Sequence, residues 1–260
     1  MLVFPQFVTG ASALYPVLKR RQQRTVANLL DNGARDVYAD ENAARIEWEL
    51  HARGMTAAEW NSVESLFAQV SGMWQSFTFL DPTGNLLAQS EDLTAGVWTP
   101  GALVSVTAAV ADPLGTNRAS TVVNGSSVDA GIGQTLAVPG NFIYCLSAWV
   151  RSAAGTNVTL SAGSSTRTAA TTPVWSRAIL TSSPGSASVS SVAFGIQIPA
   201  AGSLDVFGLQ VEEQLAPSDY KITGAGGVYP EARFGSDELL VRAQGTDVYD
   251  AIIRIVSRDN

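Results

Sequence analysis

Aromatic side chains set among serine, threonine and glycine are the residues of this chain whose types and spacing bear on chemistry. Trp98, Phe142, Tyr144, Trp149, Trp175, Phe194 and Phe207 all fall in its middle portion. A flat ring can stack on the apolar face of a pyranose while a few fixed polar groups hold the hydroxyls. Trp149 in "SAWVRS" and Trp175 in "PVWSRAIL" lie in alternating, strand-like runs and read as buried anchors. Trp98 belongs to the loop "TAGVWTPG", where a ring is free to project. Trp98 and Tyr144 are the candidate carbohydrate-binding residues on this reading.

Acid–base and metal chemistry find less footing. A hydrolytic triad would have to use His51, the sole histidine, which sits at the end of a strand pattern with no nucleophile elbow elsewhere, so a structural role is expected. Glu212 and Glu213 are adjacent carboxylates, but neighbours on a strand face opposite sides and cannot act as a facing acid/base pair. One of them is expected to hydrogen-bond near the module's exit. Cys145 and His51 are too few for a zinc site, and Asp112, Asp129 and Asp205 lack the spacing of a calcium loop. No catalytic residue, metal ligand or cofactor is assigned.

The positioning elements divide by composition. Residues 1–85 hold 7 Lys/Arg and 9 Asp/Glu, residues 86–217 hold 4 and 7, and residues 218–260 hold 5 and 7. The middle is thus about 8% charged against about 22% for its flanks, which marks a boundary at each end. Short alternating runs broken by Gly, Pro, Asn and Ser give the middle the pattern of an antiparallel sandwich or jelly roll. Strand parity in "FIYCLSAWV" places Phe142, Tyr144, Leu146 and Ala148 on one face and Ile143, Cys145, Ser147 and Trp149 on the other, with Cys145 read as a small buried hydrophobe.

In the first flank, Ile46, Trp48 and Leu50 alternate with Glu47 and Glu49 as a half-buried strand after an Asp-Asn-Gly turn. Thr56 and Glu59 form a capping box. Trp60, Val63, Leu66, Phe67 and Val70 share a helical face, and Gly72 stops the helix. "WQSFTFLD" returns to period two before the "DPTG" turn. The last flank reads as two strands, "ELLVRA" and "YDAIIRIVSR", which cannot bury a core alone and are expected to complete the first flank's sheet. The fold class is therefore mostly β: a discontinuous β-domain with one amphipathic helix (1–85 and 218–260) and an inserted jelly-roll or β-sandwich domain (86–217). "GAGG" at Gly224–Gly227 reads as a hinge where the insert rejoins.

A net charge of −7 and a pI near 4.7 argue against specific nucleic-acid binding. The basic cluster Lys19, Arg20, Arg21 and Arg24 reads as a guarded strand edge or a subunit interface rather than a surface facing DNA. No run approaches eighteen apolar residues, so no membrane insertion is expected. The apolar-then-charged N-terminus is opposite in order to a secretory signal and points to assembly in the cytoplasm, which leaves the Asn-x-Ser/Thr triplets at Asn124 and Asn157 without meaning.

The run "YPVLKRRQQRTVANLLDNGARDVYADENAARIEWELHARGMTAAEWNSVESLFAQVSGMWQSFTFLDPTGN" resembles the N-terminal domain of distal tail and minor tail proteins of long-tailed bacteriophages. The likeness lies in the order of a strand ending W-x-L, an "AAEWNSVESLF" helix, a glycine and an aromatic F-x-F-x-D-P strand. "NLLAQSEDLTAGVW" is similar to the opening of a carbohydrate-binding-module-like jelly roll, with Leu93 where Phe is usual, and "DVFGLQVEEQLAPSDYKIT" is similar to its closing strand. The resemblance implies a non-enzymatic tail-tip protein of the virion, assembled in the host cytoplasm. Its implied partners are its own copies in a hexameric ring, a tail tube protein, a hub or tail fibre protein and a host cell-surface glycan. The rival expectations are a free-standing lectin-like binder and a cell-wall carbohydrate-active enzyme.

Overall fold

A computed structural model describes residues 1–258; Asp259 and Asn260, the end of the expected 218–260 segment, lie outside the described residues. The chain divides into two compact units. One comprises Met1–Phe7, Ser12–Phe79 and the C-terminal part from Tyr229, and the other Val8–Ala11 with Leu80–Val228.

In the first unit, β1 (Val17–Leu29) and β2 (Arg35–Met55) form a long antiparallel hairpin. Gly33, at φ 81°, takes the left-handed position of its turn, and Asn32 Oδ1 accepts from the Ala34 amide at 2.9 Å. After β2 come α1 (Ala57–Gln69) and β3 (Phe77–Leu80). The helix begins as the capping box requires: the Thr56 hydroxyl accepts from the Glu59 amide, and Glu59 accepts from the Thr56 amide at 2.8 Å.

Ten strands follow in the second unit before the chain returns to the first. There β14 (Val228–Phe234), β15 (Val241–Gly245) and β16 (Val248–Arg258) complete a sheet of order β1-β2-β16-β14-β3, with β15 on β16. The two ends of the sequence therefore share one sheet. Ile46, Trp48 and Leu50 of β2 and Ile253 and Ile255 of β16 bury one face against Trp60, Val63 and Leu66 of the helix, while the intervening Glu47, Glu49 and Arg254 face out. Trp48 lies at the centre, 5.0 Å from Phe79 and 4.7 Å from Tyr229 between ring centroids.

The hairpin outreaches this sheet. Among the described residues, β16 covers β2 from Arg45 to Met55, whereas Arg24–Leu29 and Arg35–Asp40 pair only with each other. β1 is an edge strand and carries the basic cluster. The opposite edge, β3, is closed by the N-terminal segment, with the Phe4 amide donating to Thr78 O and the Thr78 amide to Leu2 O, both at 2.9 Å.

The second unit is a sandwich of two five-stranded antiparallel sheets. One runs β10 (Ser165–Ala169), β9 (Val158–Ala162), β12 (Val192–Ile198), β7 (Ala130–Leu136), β4 (Thr99–Pro100). The other runs β11 (Ser176–Ser182), β8 (Tyr144–Arg151), β13 (Ser203–Glu212), β6 (Ala119–Asn124), β5 (Val104–Val110). Tyr144, Leu146, Ala148 and Val150 of β8 point between the sheets; the Tyr144 ring meets Phe194 of β12 edge-on at 5.3 Å. Cys145, Ser147 and Trp149 take the outer face of β8, as parity requires, and Ile143 precedes the strand.

Both expected boundaries move, the first from residue 85 to 79 and the second from 217 to 228. Residues 218–228 belong to the second unit because Thr223 Oγ1 donates to Leu87 O, the Lys221 amide to Gln210 Oε1 and the Thr223 amide to Ser90 Oγ. Gly224–Gly227 is likewise no slack hinge. The Gln89 amide donates to Gly224 O and the Asp81 amide to Gly227 O, so the unit's two ends run side by side. That closeness is what an insertion needs.

Candidate functional site

The outer face of the β11-β8-β13-β6-β5 sheet is built by register. Arg177 of β11 lies opposite Trp149 of β8, and Trp149 opposite Phe207 of β13. The Arg118 guanidinium sits 5.5 Å from the Phe207 ring centroid. A row Arg177, Trp149, Phe207, Arg118 thus crosses the sheet, with Trp175 joining it just before β11.

The chain leaving β13 covers part of this face and leaves the rest open. A bulge between Phe207 and Gln210, with Gly208 at φ 63°, allows Gln210 to follow Phe207 on the outer side. A Cβ on Gly208 would fall 3.1 Å from the Tyr220 ring, which packs edge-on to Phe207 at 5.1 Å. Glu212 ties the exit segment down: its carboxylate accepts from Gln210 Nε2 at 2.7 Å, the Ser218 amide at 2.9 Å, Ser218 Oγ at 2.5 Å and Lys221 Nζ at 3.0 Å. It is the exit-segment carboxylate anticipated from sequence. Cys145 and Ser147 lie buried on this face, and burial raises the Cys145 thiol pKa.

What remains open is a groove of about 880 Å³ between the 113–118 loop, the 173–177 segment and the exit segment, walled by Trp149, Trp175, Tyr220, Arg118 and Arg177. Trp149, Trp175 and Tyr220 are each partly exposed in it. The Arg151 guanidinium lies 4.6 Å from the Trp175 ring centroid and is held by Asp205 at 2.8 Å. Arg118 is held by Glu91 at 2.8 Å. Burial raises the Glu91 pKa, more than the facing Arg118 lowers it. Asp112 shapes the loop below: burial would raise its pKa, but donors from the Thr116 hydroxyl and the Leu114, Thr116 and Arg118 amides outweigh that and lower it to about 2. Asp219 is the one carboxylate among the described residues lining the groove.

The two candidates chosen from sequence are elsewhere. Trp98 is 4% exposed, and its Nε1 donates to Gln89 O at 3.0 Å. Tyr144 is fully buried with its hydroxyl donating to Pro139 O at 2.8 Å, and burial raises its pKa. Neither ring has a face left for a sugar. A loop tryptophan can fold inward onto a backbone acceptor, as Trp98 does, and Tyr144 shares its parity with the buried Leu146 and Ala148. Trp149 and Trp175, read from sequence as buried anchors, supply the open rings instead. For Trp149 a signal was present in the sequence, since Ser147, Trp149 and Arg151 form a mixed polar face opposite Leu146, Ala148 and Val150; Trp175 lacks that contrast, because Ser176 and Ser182 share the face opposite it.

No protein-family profile and no curated protein matches the chain. Among solved structures, it is similar to the CBM22-1 xylan-binding domain of Paenibacillus barcinonensis Xyn10C: 17% identity over 54% of this chain and 99% of that one, TM-score 0.42. The CBM22-1–GH10 modules of Clostridium thermocellum xylanase Xyn10B, complexed with xylohexaose, match at 15% identity and TM-score 0.39, over 50% of this chain and 28% of theirs. The enzymatically active domain of bacteriophage CBA120 tailspike protein 4 matches at 14% identity and TM-score 0.38, over 52% of this chain and 22% of that one.

Two other sequence candidates have structural surroundings. His51 Nε2 lies 2.9 Å from Glu49 Oε1, and Arg254 Nε donates to Glu49 Oε2 at 3.1 Å. Burial works against the Glu49 charge, but these two partners outweigh it and lower the pKa. Asp205 is shared by Arg151 and Thr121, and among the described residues no group of three or more His, Cys, Asp or Glu is placed to hold a metal ion. No helix among them is long and apolar enough to cross a membrane.

Proposed function

We propose that the chain is a non-catalytic glycan-binding protein whose second unit holds sugar in the Trp149–Trp175–Tyr220 groove. The carrying observation is the coexistence, on one sheet face, of partly exposed aromatic rings with fixed polar groups: Arg118 held by Glu91, Arg151 held by Asp205 and the open carboxylate of Asp219. Rings supply stacking area at low entropic cost, and pre-oriented polar groups discriminate hydroxyl patterns. A hydrolytic reading lacks its second groove carboxylate, since Glu212 is spent on the exit segment.

Trp149→Ala and Trp175→Ala should each weaken binding to a retained oligosaccharide by about tenfold or more, while Trp98→Phe leaves it unchanged. Isothermal titration against a panel of soluble cell-surface oligosaccharides measures this. The proposal fails if no member of the panel binds, or if both alanine variants bind as the parent does.

A second reading concerns the first unit and is favoured by the hairpin. Leu29, Leu30, Val37 and Tyr38 are between 48% and 75% exposed on a ribbon that, among the described residues, pairs only with itself, beside a thirteen-residue edge strand. Such a ribbon is marginal in water alone and its edge is a template for another strand. Self-association into a ring, as in a virion tail tip joined to tube and hub, would cover it, and many copies would multiply a weak sugar contact. Replacing residues 25–39 by a short Gly-containing turn should then leave a folded chain that sediments as a monomer where the parent sediments as an oligomer. An unchanged oligomer, or a monomeric parent at high concentration, would count against this reading.

A further inference from the structure

Resting on the glycan reading, the charge arrangement in the groove narrows the class of sugar. Cations are scarce in this unit: Leu80–Val228 contains Lys221, held by Glu212 at 3.0 Å, and four arginines, Arg118, Arg151, Arg167 and Arg177. Three of these four stand at the groove or on one of its tryptophans. Two are neutralised, Arg118 by Glu91 at 2.8 Å with Asp112 at 3.6 Å behind it, and Arg151 by Asp205 at 2.8 Å.

Arg177 differs. Its guanidinium donates to two neutral oxygens, Ser218 O at 2.7 Å and Ser147 Oγ at 3.0 Å, and its buried Nε has no hydrogen-bond partner among the described residues. No carboxylate among the described residues forms an ion pair with it: Glu212, which shares Ser218 with Arg177, is paired with Lys221, and Asp219 lines the same groove without an ion pair to Arg177. A half-buried guanidinium without a counter-charge is costly, and its planar fork matches a carboxylate better than any neutral group. Arg177 is also in register with Trp149. Neighbouring strands are roughly 4.8 Å apart, so a substituent of a sugar stacked on that ring is within reach of the adjacent Arg177 side chain.

We propose that the groove selects a carboxylate-bearing sugar, with Arg177 as the residue that takes the carboxylate, the tryptophans taking the apolar ring faces and Asp219 accepting from hydroxyls. A purely neutral oligosaccharide would leave Arg177 without its counter-charge.

Matched pairs test this with the full chain. Trigalacturonic acid is compared by calorimetry with galactotriose of the same linkage, its carboxyl-reduced counterpart, and 3′-sialyllactose with lactose, so that hexuronate and nonulosonate sources of the carboxylate are distinguished. In at least one pair the acid should bind about tenfold tighter, as a charge-assisted pair is worth over a neutral contact, and the margin should shrink with added salt. Arg177→Met should erase the margin, so that the acid and the neutral member of each pair bind alike. Because Arg177 also holds Ser218, Asp219→Asn serves as an independent variant on an exposed side chain. It should raise acid affinity and leave the neutral sugar bound no more tightly. Equal binding within both pairs, or a margin that survives Arg177→Met, overturns the inference while leaving the glycan reading standing. Absence of binding by all four sugars and by the wider oligosaccharide panel overturns both.

Discussion

Asn85→Ala should lower stability by on the order of 3–5 kcal/mol, read from the denaturant midpoint, because one buried amide serves four backbone groups. Asn85 is fully buried. Its Nδ2 donates to Leu209 O at 2.9 Å and Lys221 O at 3.4 Å, and its Oδ1 accepts from the Leu87 amide at 3.1 Å and the Val211 amide at 3.0 Å. It therefore ties the entrance of the second unit to β13 and to the exit segment at once. Alanine leaves two amides and a carbonyl in a space closed to water, each costing about 1–3 kcal/mol, with partial relief from rearrangement. Amide exchange at Leu87 and Val211 should accelerate together. A loss under about 1 kcal/mol, the level of an ordinary surface change, would refute this account of the entrance. Asn85→Asp keeps the acceptor and removes the donor, so it should retain slow exchange at Val211 better than alanine does.

Trp48→Ala should be as damaging in the first unit. The ring is fully buried among Phe79 from β3 and Tyr229 from the start of β14, so it joins three distant stretches of the chain. Removing it costs about 3–5 kcal/mol in transfer and cavity terms, and the two edge-on ring pairs add roughly 0.5–1.5 kcal/mol each. Trp48→Phe keeps much of the volume and should cost less than half as much. Urea unfolding of the two variants measures the difference. Parity between them, or a cost for alanine no greater than that of the partly exposed Trp175→Ala, would show that Trp48 is not the centre of this core.

The helix and the half-buried strand were legible because their signals are local. Thr56 and Glu59 sit three residues apart and satisfy each other's amides, and Trp60, Val63 and Leu66 recur at helical spacing, so no distant residue is needed to define that element. Ile46, Trp48 and Leu50 alternate with glutamates whose charge cannot be buried unpaired. The split of the chain was legible from charge density, but its limits were not. Residues 218–228 look like linker in sequence, and only their bonds to Leu87, Ser90 and Gln210 assign them to the second unit.

The amino-acid order by itself determined the mostly antiparallel character, the single amphipathic helix, the burial of Cys145 and the two alternating faces of "FIYCLSAWV". Tertiary structure alone decided which of those faces meets the second sheet, that Trp98 turns inward to Gln89 O, and that the exit segment stops short of Trp149 and Trp175. The physical reason is that periodicity reports on bonds and contacts a few residues away. Exposure depends on what another part of the chain places over a ring, and that is settled only when strands far apart in sequence are brought into register.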